Sequence, residues 1–162
     1  MTEDSHLVEL RKSICNGDWN AVKQFFVFDK HPLDTIILPT EGYTALHVAI
    51  RVGKYKIAED LTTMMSETDL EKKTASSNGG YTALTLVAST ERTNTAKCIV
   101  QKNSKLLTIE SDTGFIPVTV ASATGHKEMT HYLYYVTPSE VFLPQMAIME
   151  SVSCGGVCIT KC

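Results

Sequence analysis

The stretch Gly42-Tyr43-Thr44-Ala45-Leu46-His47-Val48-Ala49, followed by Gly53, Ile57 and Leu61, sets the reading of the whole chain because it recurs. A second copy runs Gly80-Tyr81-Thr82-Ala83-Leu84-Thr85-Leu86-Val87, then Glu91, Thr95 and Ile99. A third runs Gly114-Phe115-Ile116-Pro117-Val118-Thr119-Val120-Ala121, then Gly125, Met129 and Leu133. Gly42 and Gly80 are 38 residues apart, and Gly80 and Gly114 are 34 apart. A degenerate copy precedes them, beginning near His6. There Leu10, Ser13, Gly17, Ala21 and Phe25 stand in the positions of Leu46, Ala49, Gly53, Ile57 and Leu61. A period of this size marks stacked supersecondary units, each too small to bury its own apolar face.

Each copy has one physical grammar. A turn comes first, at Thr40-Glu41-Gly42, Asn78-Gly79-Gly80 or Asp112-Thr113-Gly114. Its glycine can take the positive φ of a tight turn. Thr44 or Thr82 then occupies an N-cap position, where a hydroxyl accepts an orphan N–H. In the third copy Ile116 replaces that Thr, and Pro117 sits at N1, where its missing N–H costs nothing. A short helix follows, with small Ala49 or Ala121 letting a neighbouring helix approach. Gly17, Gly53 or Gly125 breaks the chain. A second helix carries Ile57, Leu61 and Met65, or Met129 and Leu133. The extra residues of the longer spacing fall at about Ser66 to Ser77, where Thr68-x-x-Glu71 fits a capping box.

This unit resembles the ankyrin repeat. Thr44-Ala45-Leu46-His47-Val48-Ala49 is close to the signature Thr-Pro-Leu-His-x-Ala, and Gly125-His126-Lys127-Glu128-Met129 is similar to the loop and second-helix start. Gly17-Asp18-Trp19 is similar to the opening of many terminal repeats. The resemblance covers roughly residues 6 to 136. Departures are Ala45 and Ala83 for Pro, Thr85 and Thr119 for His, Val87 for Ala and Glu91 for the loop Gly. An inter-repeat hydrogen bond from the signature His is therefore expected only at His47. More narrowly, Gly42 to His47, Ala96-Lys97-Cys98-Ile99-Val100 and Tyr132 to Pro138 resemble the plant ankyrin proteins that carry a membrane domain after their repeats.

The implied fold is all-α, an ankyrin-repeat α-solenoid of about four helix-turn-helix repeats with short β-turn fingers. Residues 1–40 form a degenerate N-terminal capping repeat, and 41–77, 78–111 and 112–137 form the clear repeats. Residues 138–152 read as a partial cap or a truncated next repeat, and 153–162 as a flexible Cys-rich tail. Thr137-Pro138-Ser139-Glu140 reads as a helix start, and Pro144 interrupts it.

Hydrophobic residues make up 43% of the 162, enough for a core, and the net charge is −3 with a pI near 5.9. That balance argues against nucleic acid, whose binding rests on Lys and Arg at phosphates. The polar, acidic Met1 to His6 reads as neither a secretory signal nor a transit peptide. No uncharged apolar run approaches the about 18 residues of a membrane span. The expectation is a soluble, cytoplasmic monomer, with plasma-membrane association resting on the resemblance alone. Thiols are then the default state for the cysteines.

Nucleotide-cradle, nucleophile-elbow and His-Glu-x-x-His spacings do not occur. His126 and His131 diverge on a helix, and Cys15 and Cys98 read as small core or interface residues. No catalytic residue, cofactor or metal is therefore expected. The expected function is a non-catalytic protein–protein interaction module with an unidentified protein partner, in signalling or stress and defence responses by resemblance. Glu41, Tyr43, Asn78, Tyr81, Asp112 and Phe115 recur at turn tips and are the candidate contacts, although the three rings could instead pack turn against turn. Gly42, Thr44, Leu46, His47, Ala49, Gly53, Gly80, Thr82, Leu84, Gly114, Pro117, Ala121 and Gly125 are the structural set. The alternative is a thiol-based metal or redox sensor using Cys154, Cys158 and Cys162, whose Cys-x3-Cys steps would need a fourth ligand.

Overall fold

The helices start where their cap residues place them. Thr82 Oγ1 accepts the Thr85 N–H at 3.3 Å, and a helix begins at the next residue. Thr44 and Ile116 hold the equivalent positions, with Pro117 at N1 after Ile116. Gly17, Gly53 and Gly125 end the first helices with φ of +80°, +76° and +79°.

The computed structural model describes residues 2–142. Its elements are α1 (Thr2–Asn16), α2 (Trp19–Lys23), a π-helical turn (Gln24–Phe28), β1 (Ile36–Leu38), β2 (Tyr43–Thr44), α3 (Ala45–Arg51), α4 (Tyr55–Met64), α5 (Glu67–Leu70), α6 (Ala83–Ala88), α7 (Thr93–Lys102), α8 (Pro117–Ala123) and α9 (Lys127–Val136). The chain is mostly helical. Its two strands form a small antiparallel ribbon, pairing Ile36 with Thr44 and Leu38 with Tyr43 across an irregularity. Among the described residues no helix is long and apolar enough to cross a membrane.

Successive helices pair as α1/α2, α3/α4, α6/α7 and α8/α9. The first helices line up in one layer, α1 against α3, α3 against α6 and α6 against α8. In a second layer α4 packs on α7, and α7 on α9. The core lies between the layers. Leu46, Leu84 and Val118 are 1%, 0% and 3% exposed, and Ile99, Met129 and Leu133 are fully buried. Each such large side chain contributes about 1.5–3 kcal/mol through removal from water. Ala45, Ala49, Ala88 and Ala121 are also fully buried. Their small size lets backbones approach where short helices have little other area to share.

Several local expectations are corrected. In the segment that follows α4, the cap is Ser66, not Thr68. Ser66 Oγ accepts the Asp69 N–H at 3.2 Å and Asp69 returns the bond to the Ser66 N–H at 2.8 Å. The Thr137 hydroxyl makes no cap bond: the Thr137 N–H closes the end of α9 on the Leu133 carbonyl, and a 3-10 turn at Ser139–Val141 follows Pro138. Cys15 is exposed, because α1 turns Leu10 and Ile14 inward instead. Cys98 is half-buried, as an interface residue would be. In the first pair Val22, Phe25 and Phe26 fill the core, while Ala21 is half-buried. Expectations for residues 143–162, including the interruption at Pro144 and the Cys-rich tail, lie outside the described residues.

Candidate functional site

The turns that precede the first helices are stitched to one another by backbone bonds. The Ala75 N–H donates to the Glu41 carbonyl at 2.8 Å, and the Asp112 N–H to the Gly79 carbonyl at 3.0 Å. Each turn is closed on itself in the same way. The Thr74 N–H meets the Tyr81 carbonyl at 2.9 Å, and the Ser111 N–H meets the Phe115 carbonyl at 2.8 Å. The return bonds run from the Tyr81 N–H to Thr74 Oγ1 and from the Phe115 N–H to Ser111 Oγ. Thr74 and Ser111 escaped the sequence reading because they stand seven and four residues before their partners, out of register with the repeat.

Close approach makes glycine necessary in the seam. Gly42 has φ +68°, and a Cβ there would lie 2.5 Å from the Ala75 nitrogen. Gly80 has φ +60°, and its Cβ would meet the Asp112 carboxylate. Each glycine thus lies against the following turn. Lys73 reinforces the second step, donating to the Glu110 carbonyl at 2.6 Å near Asp112, and Lys72 lies 3.7 Å from Asp34.

The six candidate contacts separate. Tyr43 departs from the expectation of an open contact. Its ring is 5% exposed, its hydroxyl accepts from Arg51 Nη1 at 3.1 Å, and it stacks at 6.0 Å on His47. Arg51, eight residues on, is the partner that the turn motif alone did not reveal. Glu41, Asn78, Tyr81 and Phe115 are half-buried and Asp112 is exposed, so each of these five keeps some surface open to solvent. Asn78 Nδ2 also reaches the Glu41 carbonyl at 3.5 Å.

His47 is sealed beneath these turns at 2% exposure. Its Nδ1 accepts the Thr44 N–H at 3.2 Å, with Thr44 Oγ1 2.9 Å away. A nitrogen that accepts an N–H carries no proton, so Nε2 carries it. Burial drives the ring pKa down to about 4, and the Lys72 carbonyl in the next segment pulls the other way. Nε2 completes no hydrogen bond there. The expected bond between units is therefore an approach to Lys72. In the second copy Thr85 replaces the ring, and its hydroxyl sits 3.1 Å from that of Thr82.

The second helices are tied by side chains one unit apart. Thr95 donates to Glu59 at 3.0 Å, and Lys102 to the Thr63 carbonyl at 3.2 Å. Buried Asn103 donates to the Glu67 carbonyl and to Glu71 at 2.9 and 3.0 Å. His126 Nε2 lies 2.9 Å from the Ser89 carbonyl. A cleft of about 200 Å³ opens between these helices near Tyr55, Glu59, Glu91 and Glu128, with Arg92 4.9 Å over the Tyr55 ring. Burial and then the Glu59 charge push the Cys98 thiol upward, which keeps it protonated and unreactive near neutral pH. No group of three or more His, Cys, Asp or Glu among the described residues is placed to hold a metal. Cys154, Cys158 and Cys162 lie outside them.

No family model matches the chain, and a search of curated proteins finds no match either.

Proposed function

We propose that the chain is a non-catalytic protein-interaction module of the ankyrin-repeat kind, in which stacked units present their turn row to an unidentified protein partner. The observation that carries this reading is a backbone bond at each step between turns, accepted each time by the residue before the turn glycine, Glu41 before Gly42 and Gly79 before Gly80. Ala75 to Glu41 and Asp112 to Gly79 link neighbouring turns at separations of 34 and 33 residues. Bonds between the second helices fall at 36 to 39 residues, at Thr95–Glu59 and Lys102–Thr63. Contacts that recur at separations of 33 to 39 residues are what nearest-neighbour stacking produces. The non-catalytic part draws support from His47, the most perturbed base, whose ring is too enclosed to meet a substrate.

Such a module recognises partners through side chains on a rigid row, here Glu41, Asn78, Tyr81, Asp112 and Phe115. Half-buried aromatic rings held by a backbone ladder can be covered with little loss of side-chain freedom. Affinity capture with the intact chain and with Tyr81→Ala and Phe115→Ala variants tests this. Variants that stay folded but lose the proteins retained by the parent support the reading. Undiminished capture by both would place recognition elsewhere.

A further inference from the structure

We propose that Asn78–Gly79 is a site of spontaneous deamidation whose product unfastens the turn seam. The sequence has two Asn–Gly pairs, Asn16–Gly17 and Asn78–Gly79. Glycine after asparagine leaves the backbone nitrogen unshielded. The Gly79 nitrogen attacks the Asn78 side-chain carbonyl carbon and loses its proton to solvent. The Cγ–Nδ2 bond breaks, the leaving nitrogen takes up a proton, and ammonia departs. Water then opens the cyclic imide at either carbonyl, giving aspartate or isoaspartate. One ammonia leaves and one water enters, with no oxidant or enzyme needed.

The two pairs are held differently. Each glycine N–H is bonded at 3.0 Å, Gly17 to the Ile14 carbonyl and Gly79 to the Ser76 carbonyl. Asn16, however, ends a 15-residue helix, whereas Asn78 ends a 3-10 turn of 3 residues. Short 3-10 turns have poor hydrogen-bond geometry and open at low cost. The side-chain bond from Asn78 to the Glu41 carbonyl is long, at 3.5 Å, and adds little restraint.

The consequences also differ. At Asn78 the reaction removes the amide that donates to Glu41 and leaves a carboxylate facing that carbonyl. The Asp112 carboxylate lies against the adjoining Gly80, so the turn gains a second negative charge beside its own seam. In the isoaspartate form the main chain runs through Cβ, which inserts a carbon directly before Gly79. The Gly79 carbonyl is the acceptor for the Asp112 N–H, so that insertion displaces one half of the seam. Asn16 has no comparable role. This inference stands on the geometry alone and does not depend on the binding reading.

The test ages the purified full chain in mildly alkaline buffer and follows tryptic fragments 13–23 and 74–92 by mass. Fragment 74–92 is expected to gain one mass unit, with loss of hydrogen-exchange protection at the Ala75 and Asp112 amides. Asn78→Gln should keep both amides protected through the same ageing, and fresh Asn78→Asp should already show weakened protection. Two results would overturn the proposal. One is fragment 74–92 staying unchanged while urea-unfolded protein converts in the same buffer. The other is conversion with the Ala75 and Asp112 amides as protected as in fresh protein.

Discussion

Acidification should weaken the fold through His47, and the size of the effect can be worked from its surroundings. The ring pKa falls from 6.5 to about 4 on folding, chiefly because burial disfavours the cation. Between those values the unfolded chain binds a proton that the folded chain refuses, so stability falls as pH falls. The contribution is complete above 6.5 and is lost progressively as pH drops toward 4. A shift of this size corresponds to about 3 kcal/mol across the window. His47→Gln keeps an oxygen that can accept the Thr44 N–H but has no charge to acquire. Urea unfolding of both proteins at a series of pH values isolates the effect, because background carboxylates titrate equally in each. The parent should lose about 3 kcal/mol more than the variant between the two ends of the window. Parallel stability curves would refute the claim that His47 is neutral and sealed.

Other outcomes follow from the packing. Gly53→Ala carries only the cost of a positive φ, about 1–2 kcal/mol, because the new methyl would meet Tyr55 Cε2 at an ordinary contact distance of 3.9 Å. Gly42→Ala should cost more by the same urea assay, since its methyl also drives into the Ala75 backbone. Ala121→Leu forces a larger side chain into a fully buried position on α8 and should cost about 1–3 kcal/mol; a midpoint unchanged in denaturant would contradict it. Asn103→Ala breaks the links to Glu67 and Glu71 and should cost about 1–3 kcal/mol in thermal or urea unfolding.

What could be read from the sequence was what the backbone itself demands. Gly42, Gly80 and Gly114 were legible because a turn needs positive φ, which all three adopt. Thr82 and Pro117 were legible because a helix start has few solutions, and α9 (Lys127–Val136) spans the expected second helix. Side-chain contacts between separate elements were mostly not legible. Asn103 reads as an ordinary helix end until the Glu67 carbonyl arrives beside it. Tyr43 looks like a turn-tip contact until Arg51, a full helix away, closes over its hydroxyl. Ser66 displaced Thr68 as the cap because the Ser66 hydroxyl and the Asp69 carboxylate form the reciprocal pair two residues earlier than the pattern Thr68-x-x-Glu71.

The central claim is that the turn row is the surface that meets a partner. A photo-crosslinking residue placed singly at positions 81, 112 and 115, and at exposed Gln101 on α7 as a control, tests it most directly. The account predicts defined adducts with the same partner from the turn positions and none from position 101. Adducts from position 101 alone, or equal labelling from every position, would contradict it.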